Sequence, residues 1–411
     1  MAKKTSTKKE FSMDKLSSLI DDIGKDAHLM IEEDKETTFI GTGVYALNGL
    51  ISTSILKGGV PDDRFTIFAG PPGTGKSYLM YNIARNAQKQ GKFILFIDTE
   101  HSVNKHVLKT FGIDANKNLK LIQSNTVESL KIFLTNFFDE LKKAKDEGVE
   151  IPQVAIFLDS IGQLASEKEK EDALEGKNKV DMTRAKSIKQ LFRIINADMG
   201  YLGIPMIASN HTYDDINAFF PQAVMAGGKG AEYTASTIIF LSTAKLKTGR
   251  EDELDLSATG VIVTAKAKKN RFAKLKKIKF EIDNEYGTNP YKGLEYWCTP
   301  ENFATVGIAK GKKIVNEDGT IGIEGGGTKW YVRHLDKSVF EKQLFTKAVF
   351  TDDVLQALEP IIEKYFKYST FEENESTDDE DIFDDEENTK ADIQNFLGDD
   401  FENVDDNDLF S

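Results

Sequence analysis

The chain has 411 residues, 40% of them hydrophobic, with one cysteine and a formal net charge of −14. Cys298 stands alone, which excludes an intrachain disulfide and a cysteine-based zinc site and suits a reducing compartment. No apolar run is long enough to cross a membrane, and MAKKTSTKKE lacks the apolar stretch of a secretion signal, so a soluble, cytoplasmic protein without a membrane partner is expected.

The charge is unevenly spread. Between Phe371 and Ser411 lie 18 acidic residues and one lysine, so this segment carries −17 and the preceding 370 residues carry about +3. Such a block reads as a disordered acidic tail over 371–411. It serves either as a solubility device or as an internal competitor for a basic DNA groove.

Along the chain, residues 1–10 are basic, 11–31 have the spacing of an amphipathic helix, and about 37–65 are apolar with glycine punctuation. Residues 64–70, RFTIFAG, read as a strand. GPPGTGKS at 70–77 then matches the phosphate loop G-x-x-x-x-G-K-[ST]. Gly70, Gly73 and Gly75 allow a tight turn that aims backbone N–H groups at phosphate oxygens. Lys76 supplies a point charge for the β and γ phosphates, and Ser77 offers a hydroxyl to Mg²⁺. Pro71, Pro72 and Thr74 complete the loop, and Tyr78, the last expected nucleotide contact, opens a helical segment, 78–91, whose N-terminal dipole adds to the anion site.

Apolar runs at 93–98, 153–159 and 204–209 alternate with helical stretches, which predicts an α/β fold around a buried, mostly parallel sheet. The runs at 237–242, 260–266 and 277–283 are closely spaced and leave parallel and antiparallel pairing open. Residues 300–370 read as a small C-terminal domain.

Several residues are candidates for chemistry. Asp159 ends QVAIFLD, where an acid after an apolar strand holds Mg²⁺ directly or through water. Glu100 ends FILFIDTE and is placed either to activate an attacking water or, with Asp98, to cap the next helix. Asn210 and His211 follow the third run, as sensors of a γ phosphate or as an ordinary polar strand end. Two stretches read as flexible loops, the charged 164–183 and 212–231 with Phe219, Phe220 and a GGKG turn. The two phenylalanines either stack on bases or pack into the core. The segment Ala265 to Lys279 is densely basic, as a solvated strand face or as a source of cations for phosphate.

Together these motifs resemble the RecA recombinase family, most closely its phage UvsX-type branch, from about Thr42 to Leu294. FIDTEH resembles the family segment holding the catalytic glutamate, here Glu100. Residues 168–194 are similar to the first DNA loop and its helix, SNHTYD at 209–214 to the sensor strand, and GGKGAEYTAS at 227–236 to the end of the second DNA loop. His211 stands where bacterial RecA has glutamine. KNR at 269–271 sits where the family places two cations that reach a neighbour's nucleotide, making these Lys269 and Arg271.

The resemblance implies a RecA-type P-loop ATPase core over 42–299, with an N-terminal helix and polymerisation segment over 1–41. It implies ATP and Mg²⁺, a homo-oligomeric helical filament on single-stranded DNA, pairing with homologous duplex DNA, and loader and single-strand-binding proteins as partners. Arg184, Lys186, Ser187, Phe219, Phe220, Gly227, Gly228 and Lys229 are the expected DNA contacts. Two other readings remain: a RecA-type hexameric motor such as a helicase, and a nucleotide-switched scaffold.

Overall fold

The computed structural model describes residues 37–176, 183–214, 223–246 and 260–369. The elements up to the third apolar run are β1 (Phe39–Ile40), α1 (Tyr45–Ser52), β2 (Val60–Pro61), β3 (Phe65–Gly70), α2 (Lys76–Lys89), β4 (Phe93–Asp98), α3 (Lys105–Thr110), β5 (Leu119–Gln123), α4 (Val127–Asp146) and β6 (Val154–Asp159). There follow α5 (Glu167–Leu174), α6 (Thr183–Leu202), β7 (Met206–Asp214), β8 (Ala223–Met225), α7 (Lys229–Thr234), β9 (Thr237–Leu246), β10 (Gly260–Lys269), β11 (Lys277–Asp283) and β12 (Gly287–Thr288). The last are α8 (Phe303–Val306), β13 (Ile308–Lys310), β14 (Lys312–Val315), β15 (Ile321–Glu324), β16 (Lys329–Val332), β17 (Lys337–Phe340), α9 (Glu341–Leu344) and α10 (Asp352–Phe366).

The main sheet runs β12-β11-β10-β9-β3-β7-β6-β4-β5, with β8 paired to β7. Every pairing from β9 to β5 is parallel, whereas β10, β11 and β12 add antiparallel beyond β9. The fold is thus α/β with a mostly parallel sheet and flanking helices. The later runs divide: 237–246 joins the parallel set, and the next two close the edge as a meander.

Alternation along each strand sends side chains to two cores. Phe68, Ile94, Phe96 and Phe157 face a cluster that includes Leu47 and Leu50 of α1 and Leu79, Met80 and Ile83 of α2. Phe65, Ile67, Leu95, Ile97 and Ile156 face Leu130 and Leu134 of α4 and Ile188, Leu191 and Phe192 of α6. The rings of Phe65 and Phe192 stack at 4.8 Å. Strands covered on both faces read as continuous apolar runs, which is why the sequence exposes them. β5 does not read so, because LKLIQ is a half-buried edge strand carrying Lys120 and Gln123.

Two segments differ from the sequence reading. Within 164–183, residues Glu167–Leu174 are helical, because Ser166 and Glu169 form a reciprocal capping box at the helix start. Residues 300–366 divide between two clusters: Val306, Ile308, Val332, Leu358, Ile362 and Phe366 join the one that holds α1 and α2, while Phe303, Ala309 and Tyr331, with Ile321 and Ile323, form a small cluster of their own. A β-carbon on Gly49 would lie 2.9 Å from Ile362 Cγ2, so α1 and α10 approach closely. Glu359 reinforces the contact, its Oε2 accepting from Ile55 N at 2.9 Å and its Oε1 accepting from the Ser54 hydroxyl.

Ile362→Ala should therefore destabilise the fold by about 2–5 kcal/mol and lower a single cooperative thermal transition in calorimetry. A separate low-temperature transition, with the main one unmoved, would contradict the shared core.

Candidate nucleotide site

The phosphate loop joins β3 to α2, and its shape depends on two glycines. Gly73 and Gly75 are left-handed at φ 76° and 84°. A β-carbon on Gly75 would also meet Ile282 Cδ1 at 2.4 Å. Thr74 donates its hydroxyl to Pro71 O at 2.8 Å, and Lys76 Nζ donates to Gly70 O at 2.9 Å and Pro71 O at 2.8 Å. Burial pulls the Lys76 ammonium below its ordinary value, against the attraction of Asp159 and Glu100. Pro71, Pro72 and Gly73 are exposed. Tyr78, expected at the nucleotide, uses its hydroxyl to accept from Thr288 N at 3.0 Å and sets its ring edge-on to Phe111.

Parallel pairing brings the carboxyl ends of β3, β4, β6 and β7 together. Asp98 and Asp159 lie in register at the ends of β4 and β6. Asp159 is buried, its Oδ1 accepts from the Ser209 hydroxyl, and its Oδ2 has no hydrogen-bond partner. Burial raises its carboxyl above the usual range; Glu100 and Asp98 add to the rise, while the Ser209 and Ser77 hydroxyls oppose it. A buried carboxylate oxygen without a partner, beside the Ser77 hydroxyl, suits a divalent cation shared with phosphate.

Asp98 and Glu100 have separate tasks. Asp98 accepts from Glu100 N at 3.1 Å and from Val103 N at 2.8 Å, so it shapes the turn, and α3 is capped by Asn104 instead. Glu100 Oε1 accepts from the Ser160 hydroxyl at 2.8 Å and from His211 Nε2 at 3.1 Å. Asn210 is fully buried, donates Nδ2 to Ala226 O at 2.9 Å, and leaves Oδ1 without a partner. Ala226 N in turn donates to His211 O at 2.9 Å. The end of β7 thus connects Glu100 to the residue preceding Gly227 and Gly228, both left-handed at φ 82° and 78°. Ser160 was missed from sequence because nothing marks a serine after Asp159 as a support for a glutamate on another strand.

Of the expected DNA contacts, Lys186 and Lys229 are exposed. Arg184 is instead turned inward, its Nε donating to Leu164 O at 2.7 Å and its Nη2 to Gly162 O. Ser187 is buried and donates to Glu128 Oε1 at 2.7 Å. These two side chains anchor α6 to the base of the first loop. Lys189 and Arg193 are exposed on the same helix. Their spacing from Lys186, three and seven residues on, puts all three on one face. Phe219 and Phe220 lie outside the described residues, as do the N-terminal helix expected at 11–31 and the acidic tail.

Lys269 Nζ donates to Glu232 O at 2.9 Å and Tyr233 O at 3.0 Å. Burial lowers its ammonium from the ordinary value, and neighbouring Arg271 lowers it further. Arg271 is exposed. Between them Asn270 is buried and donates to Leu50 O at 3.0 Å and Ile51 O at 2.9 Å, which pins this turn to the end of α1.

A glycine-built phosphate loop between strand and helix, with acids at the ends of the two strands beyond β7, defines a RecA-type domain. The chain belongs to the RecA family, whose N-terminal domain profile matches residues 12–289. It is 33% identical over 268 residues to the "Recombination and repair protein" of Enterobacteria phage T4, covering 64% of this chain and 63% of that one. It is 28% identical over 237 residues to "Protein RecA" of Mesomycoplasma hyopneumoniae, covering 57% and 65%. With "Protein RecA" of Mesoplasma florum it shares 25% identity over 314 residues, covering 75% and 80%. The matched part thus spans slightly under two thirds of the first two relatives. No helix among the described residues is long and apolar enough to cross a membrane.

Burial raises the carboxyl of Glu128, but the bonds from Ser187 and Glu167 N outweigh it and hold the group below its ordinary value. A depressed carboxyl stabilises the fold above its unfolded pKa and loses that contribution as pH falls through the folded value. The Tm difference between wild type and Glu128→Gln should be full near neutrality and vanish in the acid range. A constant difference across pH would remove the Glu128 anchor.

Proposed function

We propose that the chain is an ATP-dependent DNA recombinase that polymerises on single-stranded DNA and catalyses homologous pairing and strand exchange. The observation that carries this reading is the convergence of Lys76, Asp159 and Glu100 at one sheet edge, where Glu100 is bonded to His211 and the neighbouring Asn210 is bonded to the root of the second loop.

Lys76 exchanges the carbonyls of Gly70 and Pro71 for phosphate oxygens, and the loop N–H groups complete the cradle. Ser77 and Asp159 would hold Mg²⁺, which when bound would neutralise charge on the phosphates. Glu100 accepts a proton from the attacking water, and the Ser160 and His211 bonds fix the direction of its carboxylate. Asn210, buried with a free Oδ1, and His211 relay the state of the terminal phosphate to Ala226, Gly227 and Gly228.

Lys269 and Arg271 act on the triphosphate of a neighbouring subunit. Each site is then complete only between two copies, and polymerisation follows nucleotide state. Lys186, Lys189, Arg193 and Lys229 offer cations to the DNA backbone, with Phe219 and Phe220 for its bases; backbone contacts carry little sequence information, as a recombinase requires. The acidic tail competes with phosphate for these cations, and loader and single-strand-binding proteins govern access to DNA.

Lys76→Ala should abolish ATP-dependent filaments in electron micrographs; normal binding and turnover would overturn the site. Lys269→Ala and Glu100→Ala should each be inactive, and an equal mixture should recover roughly a quarter of the wild-type rate, as random head-to-tail order predicts. No recovery at any ratio would place each site within one chain. Closed rings of fixed stoichiometry, without filaments on DNA, would favour a hexameric motor.

A further inference from the structure

The turn that carries Glu100 continues into His101, whose backbone is left-handed at φ 55°. A side chain is uncommon in that region and persists where the surroundings over-determine the backbone. Asp98 grips the turn from within, by its bonds to Glu100 N and Val103 N. The second grip lies outside: His101 Nε2 donates to Asn125 Oδ1 at 2.7 Å, reaching the segment between β5 and α4.

Asn125 is bonded in turn to the root of the first charged loop. Its carbonyl accepts from Ala165 N at 3.1 Å, and Val127 N donates to Ala165 O at 2.9 Å. Ala165 immediately precedes Ser166, whose capping box starts α5. The contacts therefore run from α5 through Ala165 and Asn125 to His101, and His101 shares a peptide bond with Glu100. They are independent of the His211 and Ala226 contacts, which approach Glu100 from β7.

We propose that His101 is a positioning residue that directs Glu100 by clasping Asn125, so that the placement of α5 sets the aim of the base. A shift of α5 moves Ala165, Asn125 follows through its backbone bond, and the His101 ring transmits the shift to the turn. The inference rests on the reading of Glu100 as the base and of residues 164–183 as a DNA loop.

The test uses the full chain with an oligo-dT strand, and measures kcat and KM for ATP, strand affinity by anisotropy, and Tm. His101→Gly keeps the left-handed backbone and removes the ring; Asn125→Ala removes the acceptor; Asn125→Asp keeps it. Each of the first two should lower the DNA-stimulated kcat about tenfold, as a misplaced base does, with KM, strand affinity and Tm unchanged. Their combination should be no worse than either alone, because both cut the same contact. Asn125→Asp should retain the wild-type rate. A wild-type kcat in His101→Gly, or losses that multiply in the double variant, would overturn the inference. Glu100→Gln run alongside separates the two readings: inactivity there with unimpaired His101→Gly refutes only the positioning role, whereas turnover in Glu100→Gln refutes the base itself and the inference with it.

Discussion

The buried carboxylate of Asp159, with one oxygen lacking a partner, is the constraint around which the site is arranged. Leaving such an atom unpaired costs about 1–3 kcal/mol, and more if charged, so its neighbours are otherwise closely satisfied. Thr99 and Ser160 exchange bonds across the β4 and β6 ends, Ser209 serves Asp159, and Asp98 serves the turn beyond it. Two atoms at this sheet edge stay open, Asp159 Oδ2 and Asn210 Oδ1. A cation recognised at the first and a phosphate-linked donor at the second would complete the set, beside a Lys76 ammonium held on the carbonyls of Gly70 and Pro71.

The same edge is tied to both loops, by different routes. Asn210 and His211 hold Ala226 at the root of the second loop, while Arg184 and Ser187 hold α6 to the base of the first. Neither tie uses an exposed salt bridge, which would be screened and weak. Buried or backbone-directed hydrogen bonds persist in salt, so these ties do not depend on ionic strength. The cations left exposed, Lys186, Lys189, Arg193 and Lys229, then face solvent as a surface whose attraction for polyanions is salt-sensitive.

Much of this was legible in the sequence, for physical reasons that also explain the gaps. Strands buried on both faces show as apolar runs, and a glycine loop that cradles phosphate has few alternatives, so the core, Lys76, Asp159 and Glu100 stood out. β5 was missed because an edge strand alternates with polar residues. The bonds of Arg184 and Ser187 to Leu164, Gly162 and Glu128 were not legible, because a cation and a hydroxyl beside a charged loop look alike in sequence whether they face DNA or the protein itself. Ser160, Glu128 and Asn125 act only through contacts distant in sequence, and carry no local signal. The 300–366 segment keeps a small cluster of its own around Phe303 and Tyr331, but nothing local in the sequence shows that α10 seats Ile362 and Phe366 in the core shared with α1 and α2.

A recombinase site built between subunits must answer to both DNA and protein concentration. Steady-state ATP hydrolysis with and without single-stranded DNA, across protein concentration, tests it most directly. Strong stimulation that rises cooperatively with concentration is expected. A rate indifferent to both would leave the phosphate loop in place and contradict the recombinase reading in favour of a nucleotide-switched scaffold.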